Sequence, residues 1–112
     1  MNLRIESDLT QERDAQDRKW GEQNHPNGTG SWEFQASATM MRDRCQAAFR
    51  SGEGTWEHVL SEEIYEAYAE EDPEKLRAEL VQCGAVIIAW IESIDRARRA
   101  AKEAHPTNYI EG

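Results

Sequence analysis

Apolar residues recur at helical spacing in four stretches of the chain, and no stretch alternates as a strand does. The first predicts a helix over 9–20, from Leu9 to Trp20, stopped by Gly21. Glu22 to Gly30 is dense in Asn, Pro and Gly and predicts a loop. Ser31 is a fair N-cap for a second helix over 32–50, with Phe34, Ala38, Met41, Cys45, Ala48 and Phe49 in phase. Ser51-Gly52-Glu53-Gly54 ends it, and Thr55 caps a third helix over 56–71. Asp72-Pro73 then reads as N-cap plus first-turn proline, opening a fourth helix over 73–104, ahead of His105-Pro106. At about 30 residues that helix is about 45 Å long, so its C-terminal part is expected to leave the core. Four helices with short connections predict an all-α fold, a small antiparallel helical bundle, in a single domain over 1–112.

Composition narrows the function classes. Of the 112 residues 31% are charged, and 13 Lys+Arg against 22 Asp+Glu give a formal charge of −9. A polyanion is repelled by such a chain at long range, so no nucleic-acid polymer is expected as a partner. The apolar run Ala85–Ile91 is far too short to span a bilayer, and the N-terminus carries no apolar signal region. No membrane partner and a cytoplasmic location are the expectation. Cys45 and Cys83 do not make a disulfide framework. The charge is concentrated: between Glu53 and Glu79 ten acids face only Lys75 and Arg77, whereas Arg96, Arg98, Arg99 and Lys102 follow Asp95. Such a well is either a solvated helix face or a cation site.

Helical phase separates these readings. In the third helix Trp56, Val59, Leu60, Ile64, Ala67 and Tyr68 form the apolar arc. Glu63 falls near its middle, Glu66 on its border, and Glu62 further round on the same side. In the fourth, Leu76, Leu80, Cys83, Val86, Ile87, Trp90, Ile91 and Ile94 form the arc, with Glu79 inside it and Gln82 at its edge. A solvated run has no reason to place Glu63 and Glu79 among core positions, since a buried lone carboxylate costs several kcal/mol. Around a turn at Asp72, Glu66 comes level with Glu79, and Glu63 with Gln82. Oxygen donors of this kind suit a hard cation, Mg²⁺ with Mn²⁺ as a substitute. Neutralisation by Arg42, Arg44 or Arg77 is the alternative.

Glu62-Glu63-Ile64-Tyr65-Glu66, followed after twelve residues by Glu79-Leu80-Val81-Gln82, resembles the EExxE…ExxD signature of the MazG-like all-α nucleoside triphosphate pyrophosphohydrolases. The segment from Gln16 through Lys19, Trp20, Asn24 and His25 to Pro26 is similar to small phage and bacterial members of the group. The resemblance implies a MazG-like bundle completed by oligomerisation, as a homodimer or homotetramer. It also implies Mg²⁺-dependent cleavage of a (deoxy)nucleoside triphosphate to monophosphate and pyrophosphate. Carried over by position, Glu63, Glu66 and Glu79 match metal ligands, and Glu62 matches the acid that helps bind metal or orient the water; Glu62 and Glu63 are thus the catalytic candidates. Gln82 stands where the family has Asp, which removes one negative charge from the metal set. A weak enzyme, or a nucleotide-binding protein without turnover, is the corresponding alternative.

Substrate-binding candidates are less distinctive. Lys19 and Arg96 are cations available to the phosphates, against the plainer reading of Arg96 as part of a basic helix C-terminus. Trp20, Asn24 and His25 are suited to stacking on a base and reading its edge, or to closing the bundle and forming a turn. Trp56 and Trp90 are expected in the core, the histidines have no metal-ligand spacing, and Gly84 is expected to permit close helix approach. A reading from another class is an acidic helical adaptor for a basic protein partner, with Glu63 and Glu79 paired to arginines.

Overall fold

The computed structural model describes residues 1–104; the expected stop at His105-Pro106 lies outside the described residues. Four helices run in chain order, α1 Leu3–Trp20, α2 Trp32–Arg50, α3 Trp56–Ala69 and α4 Pro73–Ala104, and there is no strand among the described residues. Their starts follow side-chain caps. Ser31 Oγ accepts from the Phe34 N–H, Thr55 Oγ1 from the His58 N–H, and Asp72 Oδ2 from the Lys75 N–H. Helix α1 starts six residues earlier than the apolar spacing predicts, because Asn2 Oδ1 caps the Ile5 N–H at 2.9 Å. Helix α3 stops two residues earlier than expected, since Glu70 turns extended and its N–H goes back to the Ala67 carbonyl. The loop between α1 and α2 is pinned at Gly30, whose N–H donates to the Tyr68 carbonyl at 2.9 Å.

Helix α3 is the hub, packed on α2 along one side and on α4 along the other. Phe34 meets Tyr68 at one end of the α2–α3 pair, with ring centroids 5.2 Å apart. At the other end Arg44 makes a two-pronged contact with Glu57. Between α3 and α4, Ala67, Leu76 and Cys83 are buried with Ile64 against them. Trp56 stacks on Trp90 and donates its Nε1–H to Ser93 Oγ at 3.3 Å. Trp56 and Trp90 are therefore packing residues, though half-buried.

Two expectations need correction. Helix α1 does not complete a four-helix bundle, as it has no extensive interface with the other three helices. The radius of gyration, 17.8 Å, exceeds the ~13 Å of a compact chain of this length. Second, Leu80, Ile87 and Ile94, placed on the core arc of α4, are 53%, 40% and 50% exposed. They lie about 40° round the helix from Leu76, Cys83 and Trp90, on the margin of the arc whose middle the seam with α3 covers. No helix of the described residues is long and apolar enough to cross a membrane.

Candidate functional site

The seam between α3 and α4 holds three carboxylates. One oxygen from each of Glu63, Glu66 and Glu79 lies within 4.8 Å of the others. The side chains are half-buried, and the Oε2 atoms of both Glu63 and Glu79 are buried without a hydrogen-bond partner. Glu63 and Glu66 stand one turn apart on α3, so their side chains share a face; Glu79 comes from α4 where the antiparallel pair brings it level. Local sequence makes this geometry unavoidable. Ala67 and Leu76 seal the turn end of the seam and Cys83 lies one turn beyond Glu79, so the acids sit in an otherwise apolar contact.

The electrostatics record strain. Burial raises the Glu63 carboxyl above the ordinary range, and the charges of Glu79 and Glu62 push it further the same way. Glu66 is raised first by burial and then by Glu63, Glu79 and Glu62, while Arg42 pulls weakly in the opposite direction. Cys83 is raised by burial and by the same carboxylates. Glu62, half-buried on the α2 side, lies beside Cys45, whose thiol is pushed up to about 11 by burial and then by Glu62. Neither sulfur is therefore poised as a nucleophile.

No lysine or arginine forms an ion pair with Glu63, Glu66 or Glu79 among the described residues. Arg44 is committed to Glu57, whose carboxyl is held at about 2 by Arg44 and then by Ser61. The cluster is thus left with two ways to relieve its repulsion: sharing protons, or taking up a cation. The donor set fits a small hard ion. Mg–O bonds of about 2.1 Å put neighbouring oxygens about 3 Å apart and opposite ones about 4 Å apart. Oxygens already within 4.8 Å reach that by small side-chain rotations.

The remaining candidates are not gathered with these three. Gln82 is exposed, one turn beyond Glu79 on α4. Arg96 is exposed 17 residues beyond Glu79 on one continuous helix, about 25 Å along its axis, so within one chain it does not reach a phosphate held at the cluster. Lys19, Trp20, Asn24 and His25 interact with close neighbours in sequence. The Lys19 ammonium lies 4.9 Å from the Trp20 ring centre, Asn24 bonds Glu22, and His25 bonds Gln23. Lys19 and Trp20 line an open groove on α1 with Glu12, Gln16 and Gln23. One role escaped sequence reasoning: His58 closes a capping box by accepting from the Thr55 N–H through Nδ1. The third helical position of such a box is ordinarily Glu or Gln, and a histidine there carries no recognisable signal.

Compared with known proteins, the chain matches no family model, no curated protein and no solved structure.

Proposed function

We propose that the chain is a Mg²⁺-dependent nucleotide pyrophosphohydrolase of the MazG-like kind, cleaving a (deoxy)nucleoside triphosphate to monophosphate and pyrophosphate. The reading includes Mn²⁺ as a substitute ion, a homo-oligomeric state, a cytoplasmic location and a housekeeping role in the nucleotide pool. One observation carries it: three carboxylates from two helices meet in an apolar seam, with two buried oxygens unpartnered and no basic side chain paired to them among the described residues. Glu63, Glu66 and Glu79 would hold the metal. Bound there, it would supply neutralisation of the triphosphate and acidification of a water. Glu62, on the same helix and half-buried, is the group to accept a proton from that water.

The exposed Gln82 favours a second reading, a nucleotide-binding protein that does not turn over. An adaptor with Glu63 and Glu79 paired to arginines has no such pair among the described residues. The test is pyrophosphate release from a panel of nucleoside triphosphates with Mg²⁺ and with EDTA. Release that needs Mg²⁺ and disappears in Glu79→Gln supports the enzyme. Binding without release supports the second reading, and neither binding nor release removes both.

A further inference from the structure

Arg42 stands on α2 beside the carboxylate seam and has no task in the fold. Two contacts set the register of α2 against α3: Phe34 meets Tyr68, and Arg44 meets Glu57. The two helices are therefore antiparallel, and Arg42 comes level with Val59 and Leu60, about 10 Å short of Glu66 along the axis. Side chains lean towards the N-terminus of their own helix, so the Arg42 and Glu66 head groups lean towards each other. Around α3, Glu66 falls between Glu62, on the α2 side, and Glu63, in the seam with α4. Arg42 is exposed at the rim of this interface, whereas Cys45, one turn on, is buried in it. The positive charge is felt at Glu66, whose carboxyl it pulls down against the push of three other carboxylates.

Arg42 nevertheless closes no ion pair or hydrogen bond with them among the described residues. A cation serving only to neutralise the cluster would be drawn onto it, as Arg44 is drawn onto Glu57. For a bare metal ion Arg42 is a disadvantage, since two cations at close range repel. It becomes an advantage when the ion arrives with an anion attached. Three carboxylates around one divalent ion leave an excess of negative charge, which opposes a phosphate ligand unless a cation stands nearby. The planar fork of a guanidinium suits phosphate oxygens, which it meets in charge-assisted pairs. Other cations are badly placed. Lys75, one turn before Glu79, leans away from it towards Asp72, and Arg77 projects about 160° round α4 from Glu79.

We propose that Arg42 is the anion-binding residue of the carboxylate site: it grips the phosphate oxygens of a metal-bound polyphosphate, so that the site takes the ion and its phosphate ligand together. The inference rests on the metal reading of Glu63, Glu66 and Glu79 in the proposed function, and adds to it the group that meets the ligand's charge. Within the cleavage proposed above, Arg42 binds the β- and γ-phosphates, the part that leaves as pyrophosphate.

Calorimetry of the full chain, first with Mg²⁺ alone and then with inorganic pyrophosphate in saturating Mg²⁺, separates the two halves of the site. Arg42→Gln should weaken pyrophosphate binding by about ten- to hundredfold, the loss of a charge-assisted contact. The same variant should bind Mg²⁺ alone as tightly as wild type or more tightly, because a neighbouring cation is gone. Arg42→Lys keeps the charge without the fork and should fall between the two. Arg98→Gln changes the net charge equally from an exposed position about 28 Å beyond Glu79 on α4, and should leave both titrations unchanged. A wild type that binds Mg²⁺ but no pyrophosphate, an Arg42→Gln protein that binds pyrophosphate as wild type does, or one that loses Mg²⁺ itself overturns the role of Arg42 and leaves the metal site standing. Equal weakening of pyrophosphate binding by Arg98→Gln reduces the effect to net charge and overturns it too. A wild type that binds no Mg²⁺ removes the proposed function and this inference with it.

Discussion

Replacing Glu63 with glutamine removes one charge from three that repel one another while keeping the side chain's shape. At the 4.8 Å limit separating the cluster's oxygens, two full charges repel by about 3.5 kcal/mol at an effective dielectric of about 20. Partial solvation, and uptake of a proton by a carboxyl already raised by burial and by Glu79, reduce what the metal-free fold retains to about 1–2 kcal/mol. The new amide also donates towards the unpartnered Oε2 of Glu79. In EDTA near neutral pH, Glu63→Gln should therefore melt above wild type, by about 4–8 °C for each kcal/mol recovered. Mg²⁺ should reverse the order. Wild type gains about 2.7 kcal/mol at a hundredfold excess of ion over its dissociation constant, and the variant, short of one anionic ligand, gains far less. Thermal melts of both proteins across a Mg²⁺ series read out both arms. If Glu63→Gln melts lower in EDTA and wild type ignores Mg²⁺, the carboxylates are neither strained nor waiting for an ion.

Gln82→Asp restores a charge one turn from Glu79 and should tighten Mg²⁺ binding several-fold by calorimetry; an unchanged titration places position 82 outside the metal set. Gly30→Ala should cost about 1–3 kcal/mol in a thermal melt, because φ is +95° there and the new Cβ would lie 2.7 Å from Glu71 Cβ. Gly28→Ala, also at positive φ but with open space around it, should lose less, and equal losses would remove the contact argument. Glu57 has its folded pKa lowered to about 2 from 4.5, so its contact with Arg44 stabilises fully above the higher value and is lost as pH falls between the two. Arg44→Met should flatten that acid limb in urea titrations at pH 6 and pH 3. The effect should be small, since both groups are exposed.

Local chemistry was the legible part of this fold. Ser31, Thr55 and Asp72-Pro73 mark helix starts that the structure reproduces, because a cap acts over three residues and needs nothing distant. The beginning of α1 was hidden because Asn2 precedes only Leu3 and Ile5 before a run of polar residues, too few apolar positions to declare a period. The convergence of Glu63, Glu66 and Glu79 was readable from helical phase and one short turn. The Arg44–Glu57 pair was not, since it depends on the pitch of α2 against α3. Leu80, Ile87 and Ile94 show the limit of periodicity. It marks a face as apolar without telling whether the same chain covers it.

That limit bears on how α4 is built. Its seam with α3 would be steadier with Leu or Val at position 79, since buried charges without partners lower stability. The margin of the same arc would be more soluble with Lys or Glu at 80, 87 and 94, which stay 40–53% exposed. Each departure runs against what an isolated 112-residue chain needs, and they run in opposite senses: polar where packing is available, apolar where water is. A helix optimised only for its own fold would show neither. Glu79→Leu should therefore raise the melting temperature of the metal-free chain, whereas Ile87→Lys, at a position 40% exposed, should change it little and leave the carboxylate seam in place.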